Sequence, residues 1–135
     1  MSEHGEQRAV VDWCFLNQGK WPELDLIFAI PNGAMLGGGQ IGAIRMRALK
    51  EEGLRPGVSD LFLPCARGGY FGLFMEMKTE KGVVSENQKE FMAGVEIMGY
   101  RTAVCYGAEE AIDILTDYLL CEKTEVQHER QDTKL

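Results

Sequence analysis

Two short apolar runs lie close together in the middle of this chain, and charged residues punctuate both at one end. The first is Leu61-Phe62-Leu63, stopped by Pro64. The second spans residues 70–78 and ends in Phe74-Met75-Glu76-Met77-Lys78. Arg67-Gly68-Gly69 between them carries a turn signal, so the pair is expected to form a hairpin. Side chains alternate along a strand, which puts Glu76 and Lys78 on one face and Met75 and Met77 on the other. Gly57-Val58-Ser59-Asp60 leads into the first run. If the runs are neighbouring strands, two carboxylates and one ammonium meet at one end of a sheet.

The flanking sequence alternates between helical and extended patterns. Residues 3–17 predict an amphipathic helix with Ser2 as N-cap and Val10, Val11, Cys14 and Phe15 as its apolar stripe. Residues 26–30 predict a short buried strand, stopped by Pro31-Asn32-Gly33. Gly37-Gly38-Gly39 predicts a loop, and residues 41–52 a helix that stops at Gly53. Residues 86–98 predict a helix, 101–106 a strand and 108–120 a last helix. The resulting order, α-β-α-β-β-α-β-α, implies an α/β fold with a mixed sheet flanked by helices on both faces. At 135 residues this is one domain, expected over 1–120, with a polar tail at 121–135 that frays.

Charge and cysteine usage narrow the class. The net charge is −7, yet residues 40–89 hold eight Lys/Arg against six acids. The middle of the chain is thus weakly positive, and the acidity weakens a nucleic-acid reading without excluding it. Cys14, Cys65, Cys105 and Cys121 are scattered without a C-x-x-C pair, which disfavours zinc and a disulfide framework. All four are expected to be reduced, buried thiols. The polar start of the chain does not read as an export signal, and no apolar run is long enough to span a membrane. A cytoplasmic chain is the expectation.

An aspartate at the head of an apolar strand costs free energy unless it is paired or bound to metal. Magnesium takes one or two protein carboxylates and keeps several waters. Asp60 and Glu76 would supply those, with the backbone carbonyl of Met77 as a third oxygen. Lys78 would then stand beside the attacking water, where it stabilises hydroxide or the developing negative charge of a phosphate ester. The competing reading is a solvated strand end with a surface ion pair.

Asp…Glu-x-Lys on a hairpin in this element order resembles the PD-(D/E)XK nuclease superfamily, a restriction-endonuclease-like core. The closer resemblance is to the virus-type replication-repair nuclease (VRR-NUC) domain in its small phage and bacterial form. It rests on Ser2-Glu3-His4…Gln7, Phe28-Ala29-Ile30-Pro31-Asn32-Gly33, Gly57-Val58-Ser59-Asp60-Leu61, Glu76-Met77-Lys78 and Ser85-Glu86-Asn87-Gln88. Val58-Ser59 stands where the superfamily name leads one to expect proline before the aspartate. The resemblance implies a metal-dependent endonuclease using Mg²⁺, with Mn²⁺ as substitute, on branched DNA. Four-way (Holliday) junctions come first and flaps second, and the ends would be 5′-phosphate and 3′-hydroxyl. It places the chain in the cytoplasm of a bacterial or phage-infected cell, in DNA repair.

The resemblance also implies a glutamine at position 88 that faces the site. Ser85-Glu86-Asn87-Gln88 is equally a capping box, and one amide is not expected to serve both ends fully. For the acidic residue that the family places on the first helix, Glu3 fits the spacing to Gln7 best, with Glu6 as competitor. A solvated acidic first turn is the alternative to both. Asn32 would lie near the site or the DNA. Arg45, Arg47, Arg67 and Lys81 are the candidate phosphate contacts. Cutting two strands related by a two-fold axis calls for a homodimer. A nuclease-like module that binds DNA without cutting is the alternative function. Gly37-Gly38-Gly39-Gln40-Ile41-Gly42 fits G-x-G-x-x-G, but Pro31 ends the strand too early for a dinucleotide fold.

Overall fold

The computed structural model describes residues 1–31 and 37–127. Four helices and four strands follow in the expected order: α1 (Glu3–Leu16), β1 (Phe28–Ala29), α2 (Gly39–Glu51), β2 (Leu61–Leu63), β3 (Leu73–Lys78), α3 (Glu86–Ile97), β4 (Arg101–Tyr106) and α4 (Ala108–Leu120). A 3₁₀ turn at Pro22–Leu26 precedes β1. The strands form one sheet in the order β1-β2-β3-β4. The first two pairings are antiparallel, and β3 runs parallel to β4 through the α3 crossover.

Alternation along β3 divides the molecule. Leu73, Met75 and Met77 face a core closed by Val10 and Cys14 of α1 and by Ala111, Leu115 and Tyr118 of α4. Burying a side chain of this size contributes about 1.5–3 kcal/mol, so this layer dominates stability. The opposite face carries Phe74, Glu76 and Lys78. There Phe62 stacks on Phe74 at 4.3 Å between ring centres, and Phe91 of α3 meets Phe74 edge-on at 5.2 Å. Helices therefore cover both faces, α1 and α4 on one and α3 on the other.

Several sequence expectations change. The strand expected at 26–30 is only Phe28–Ala29, and it is an exposed edge rather than a buried strand, with Phe28 50% exposed. Leu24 of the 3₁₀ turn supplies the burial instead. On α1, Val10 and Cys14 are buried while Val11 and Phe15 face solvent, Phe15 by 72%. The inward stripe is thus narrower than four residues. β3 starts at Leu73 rather than 70, because Arg67 and Tyr70 exchange backbone hydrogen bonds in a tight turn of their own. Cys121 is exposed, while the other three thiols are buried and free. The segment after α4 does not leave the body at once: the Gly68 N–H donates to the Glu122 carbonyl, and Thr124 bonds to Tyr70.

Caps place the helices. The Ser2 hydroxyl accepts from the Gly5 N–H at 3.0 Å, as its sequence position predicts. α4 begins after Gly107, which has no capping side chain, and the Glu6 carboxylate accepts from the Ala108 N–H at 2.6 Å instead. At the other end of α4, the buried Tyr118 hydroxyl donates to the Cys65 carbonyl at 2.6 Å. Tyr118→Phe strands that carbonyl. It is expected to lower stability by about 1–3 kcal/mol with the fold kept, read as a drop in Tm.

Candidate active site

β2 stops pairing with β3 at Leu61↔Met75, while β3 runs on to Lys78 beside β4. The Met77 N–H therefore emerges on the β2 side with no strand opposite. Asp60 fills that place with its side chain, and its Oδ2 accepts from the Met77 N–H at 2.7 Å. The N–H and carbonyl of one strand residue point to the same side, so the Met77 carbonyl also faces the Asp60 edge. The Asp60 carbonyl meanwhile accepts from the Ile30 N–H at 2.9 Å, which ties the residue to the chain after β1. Asp60 is thus a sheet-end cap as well as a carboxylate aimed at the end of β3.

Glu76 is 2% exposed and Lys78 8%. The Lys78 Nζ stands 3.8 Å from Glu76 Oε2. The Gln88 amide nitrogen donates to the same oxygen at 3.1 Å. Glu76 Oε1 is buried without a hydrogen-bond partner. Burial first, then the adjacent Asp60 carboxylate, pushes the Glu76 carboxyl up from 4.5 to about 8; Lys78 pulls it down and Glu3 adds a smaller upward push. Two carboxyl groups held side by side in a buried place are relieved by a shared proton or by a cation.

The Gln88 side chain makes contacts on both sides. Its Oε1 accepts from the Ser85 N–H at 2.8 Å while the Ser85 hydroxyl accepts from the Gln88 N–H, a complete capping box. The nitrogen end of the same amide reaches Glu76. The expectation that one amide could not serve both fails, because an amide has a donor end and an acceptor end.

The two first-helix acids separate. Glu6 is engaged as the cap of α4, whereas Glu3 is exposed and adds to the field on Glu76. Other candidates lie elsewhere. Arg67 is 7% exposed and paired with Glu23, with the Ala66 carbonyl as its second acceptor, so it is engaged in the fold rather than presented to a ligand. Arg45 and Arg47 are exposed on α2, and Lys81 is exposed beyond β3. Asn32 lies outside the described residues. Sequence reasoning missed Glu6 as a cap, although a helix starting after Gly107 signals that its acceptor must come from elsewhere. It also missed the Ser59 hydroxyl, which is buried and unpartnered next to Asp60.

The donor set fits a hard divalent cation. Oxygen atoms of Asp60, Glu76 and the Met77 backbone are of the kind magnesium takes, with water completing its shell. Among the described residues no group of three or more His, Cys, Asp or Glu converges, so Asp60 and Glu76 are not joined by Glu3 in one cluster. No helix among the described residues is long and apolar enough to cross a membrane.

A model of the VRR-NUC domain matches residues 3–109. A solved structure described as a VRR_NUC domain protein is similar over 93% of this chain and 93% of its own, with a TM-score of 0.77 at 24% identity. That likeness carries the fold. No curated protein matches the chain.

The weakened acidity of the buried Glu76 carboxyl has a consequence for stability. Folded, metal-free chain binds more protons than unfolded chain between 4.5 and about 8, so stability falls as pH rises through that window. Glu76→Gln removes the charge. It is expected to flatten the slope and to raise metal-free stability at pH 8 by ~1–3 kcal/mol. Tm measured from pH 5 to 8 in chelator, wild type against variant, checks this; parallel curves contradict it.

Proposed function

Because the chain belongs to the VRR-NUC domain family, a nuclease family, we propose that it is a Mg²⁺-dependent endonuclease hydrolysing phosphodiester bonds in branched DNA, with Mn²⁺ able to substitute. The observation that carries the reading is Glu76: buried, short of one partner, and placed beside Asp60, Lys78 and Gln88. A solvated strand-end ion pair would be neither buried nor pushed up to about 8. The non-catalytic alternative has less support, since the aspartate, glutamate and lysine are all retained.

Asp60, Glu76 through Oε1 and the Met77 carbonyl would hold the first ion. Glu3, within electrostatic reach of Glu76, would help with a second. Bound magnesium supplies charge that polarises the phosphate and makes water easier to deprotonate. The chain's own residues do the positioning. Gln88 donates to Glu76 Oε2 and so fixes which oxygen is left free. Lys78, nearly buried, keeps its ammonium beside Glu76 and orients the attacking water or stabilises the negative charge growing on phosphorus oxygens. The water oxygen bonds to phosphorus and gives up its proton to solvent, the bond from phosphorus to the 3′ oxygen breaks, and that oxygen takes a proton from a solvent water. The ends are 5′-phosphate and 3′-hydroxyl.

Four-way junctions are the first substrate to test and flaps the second. A two-fold junction needs two such sites, so a C2 homodimer is part of the proposal. Arg45, Arg47 and Lys81 are proposed phosphate contacts on exposed surface; Arg67 is left out because Glu23 holds it.

Labelled junction, flap and linear duplex in magnesium test the reading. Wild type is expected to cut branched DNA. Asp60→Asn keeps an acceptor for the Met77 N–H and is expected to lose at least ~100-fold in rate with Tm retained; Lys78→Ala, which removes a buried ammonium, is expected to lose as much in rate with a lower Tm. Full activity in both variants ends the catalytic assignment. A monomer in sedimentation, bound at one copy per junction, ends the dimer.

A further inference from the structure

α2 is exposed over most of its length, with Gly42 its buried residue. A cavity of about 320 Å³ lies between its C-terminal half, the loop into β2 and the first turn of α3. Met46, Leu54, Pro56 and Val58 form apolar walls, and Lys50 and Arg55 are its charged groups. No carboxylate lines it among the described residues. In a chain with 21 acids and 14 Lys/Arg, this is a local reversal of sign. The volume falls at the small end of the ~300–1,000 Å³ typical of ligand sites.

Two short segments belong to both this cavity and the candidate active site. Gly57 and Val58 line the cavity and run into Asp60; Asn87 lines it and precedes Gln88, which holds Glu76. Gly57 locks the two segments together. Its φ is +89°, and a Cβ there would stand 2.4 Å from the carbonyl carbon and oxygen of Asn87. The cavity wall and the catalytic carboxylates are thus mechanically one piece.

We infer that this cavity binds an unpaired nucleobase next to the scissile phosphate, with Lys50 and Arg55 on the adjoining backbone phosphates. A base has two apolar faces, a polar edge and a charged linker. Apolar walls, the polar Asn87 and two flanking cations are the complement of that chemistry. A base inside a duplex is stacked on both faces and must be extruded first. The inference rests on the nuclease reading and narrows it: the branched substrate presents an unpaired nucleotide at the branch. A flap offers one directly, whereas a four-way junction must open a pair.

The test uses the full chain with calcium in place of magnesium, a flap carrying 2-aminopurine at its first unpaired position, and a linear duplex. Wild type is expected to bind the flap more tightly and to raise the 2-aminopurine emission, as the base leaves its stacked neighbours. Replacing Lys50 and Arg55 together by Ala is expected to weaken flap binding about tenfold and duplex binding by less than about threefold. Met46→Trp fills the cavity and is expected to abolish the emission change with Tm unchanged. Equal losses on both DNAs, or a bound flap with unchanged emission, overturn the inference. So does a Met46→Trp variant that alters sedimentation and leaves DNA binding intact, which would make the cavity an interface between copies. Failure of the nuclease reading looks different: wild type binds the flap but cuts neither DNA in magnesium, and the emission change still decides the cavity. A wild type that binds neither DNA overturns both.

Discussion

The burial of the Glu76 carboxylate is the constraint around which the rest of the site is arranged. A carboxylate removed from water is costly unless charge or hydrogen bonds compensate it. Lys78 and Gln88 compensate one oxygen and leave the other unmet, while Asp60 makes the cost larger. A fold that keeps such a group in its central sheet sacrifices stability in the metal-free state. The arrangement makes sense if a cation belongs there, with a proton standing in for it otherwise.

The elements around Glu76 hold this imbalance in place. β3 runs past the end of β2, which exposes the Met77 peptide; Asp60 caps it and is fixed by doing so. α3 is clamped at its first turn by Gly57, so Gln88 reaches Glu76 from a defined position. α1 and α4 close the opposite face, tied by Glu6 at the start of α4. Several residues that position the site also end a strand or cap a helix, Asp60 at the end of β2 and Gln88 at the start of α3. At Asp60 and Gln88 the side chain that completes the fold is also the one that faces the candidate site.

Much of this was legible in the sequence. Period-2 alternation in Phe74-Met75-Glu76-Met77-Lys78 separates core from site, and strong caps at Ser2 and Ser85 mark where helices begin. The order and mixed topology follow from those patterns. What was not legible depends on tertiary partners. Arg67 is indistinguishable from an exposed arginine until Glu23, far away in sequence, is seen to hold it. Phe28 looks like core by composition, yet its strand ends the sheet, and half of the residue faces solvent while its ring meets Phe62. That Glu6 is taken up at the start of α4 depended on that helix lacking a cap of its own. The double role of Gln88 required knowing that both ends of one amide find partners.

The most direct test of the central claim is the proton count of metal binding. Magnesium titrated into the chain at pH 7 by calorimetry, in buffers of different ionisation enthalpy, reads that count. With Glu76 protonated up to about pH 8 in the metal-free fold, about one proton should leave per ion bound. Glu76→Gln should lose both the binding and the release. Magnesium binding without proton release, or binding undiminished in Glu76→Gln, would contradict the account.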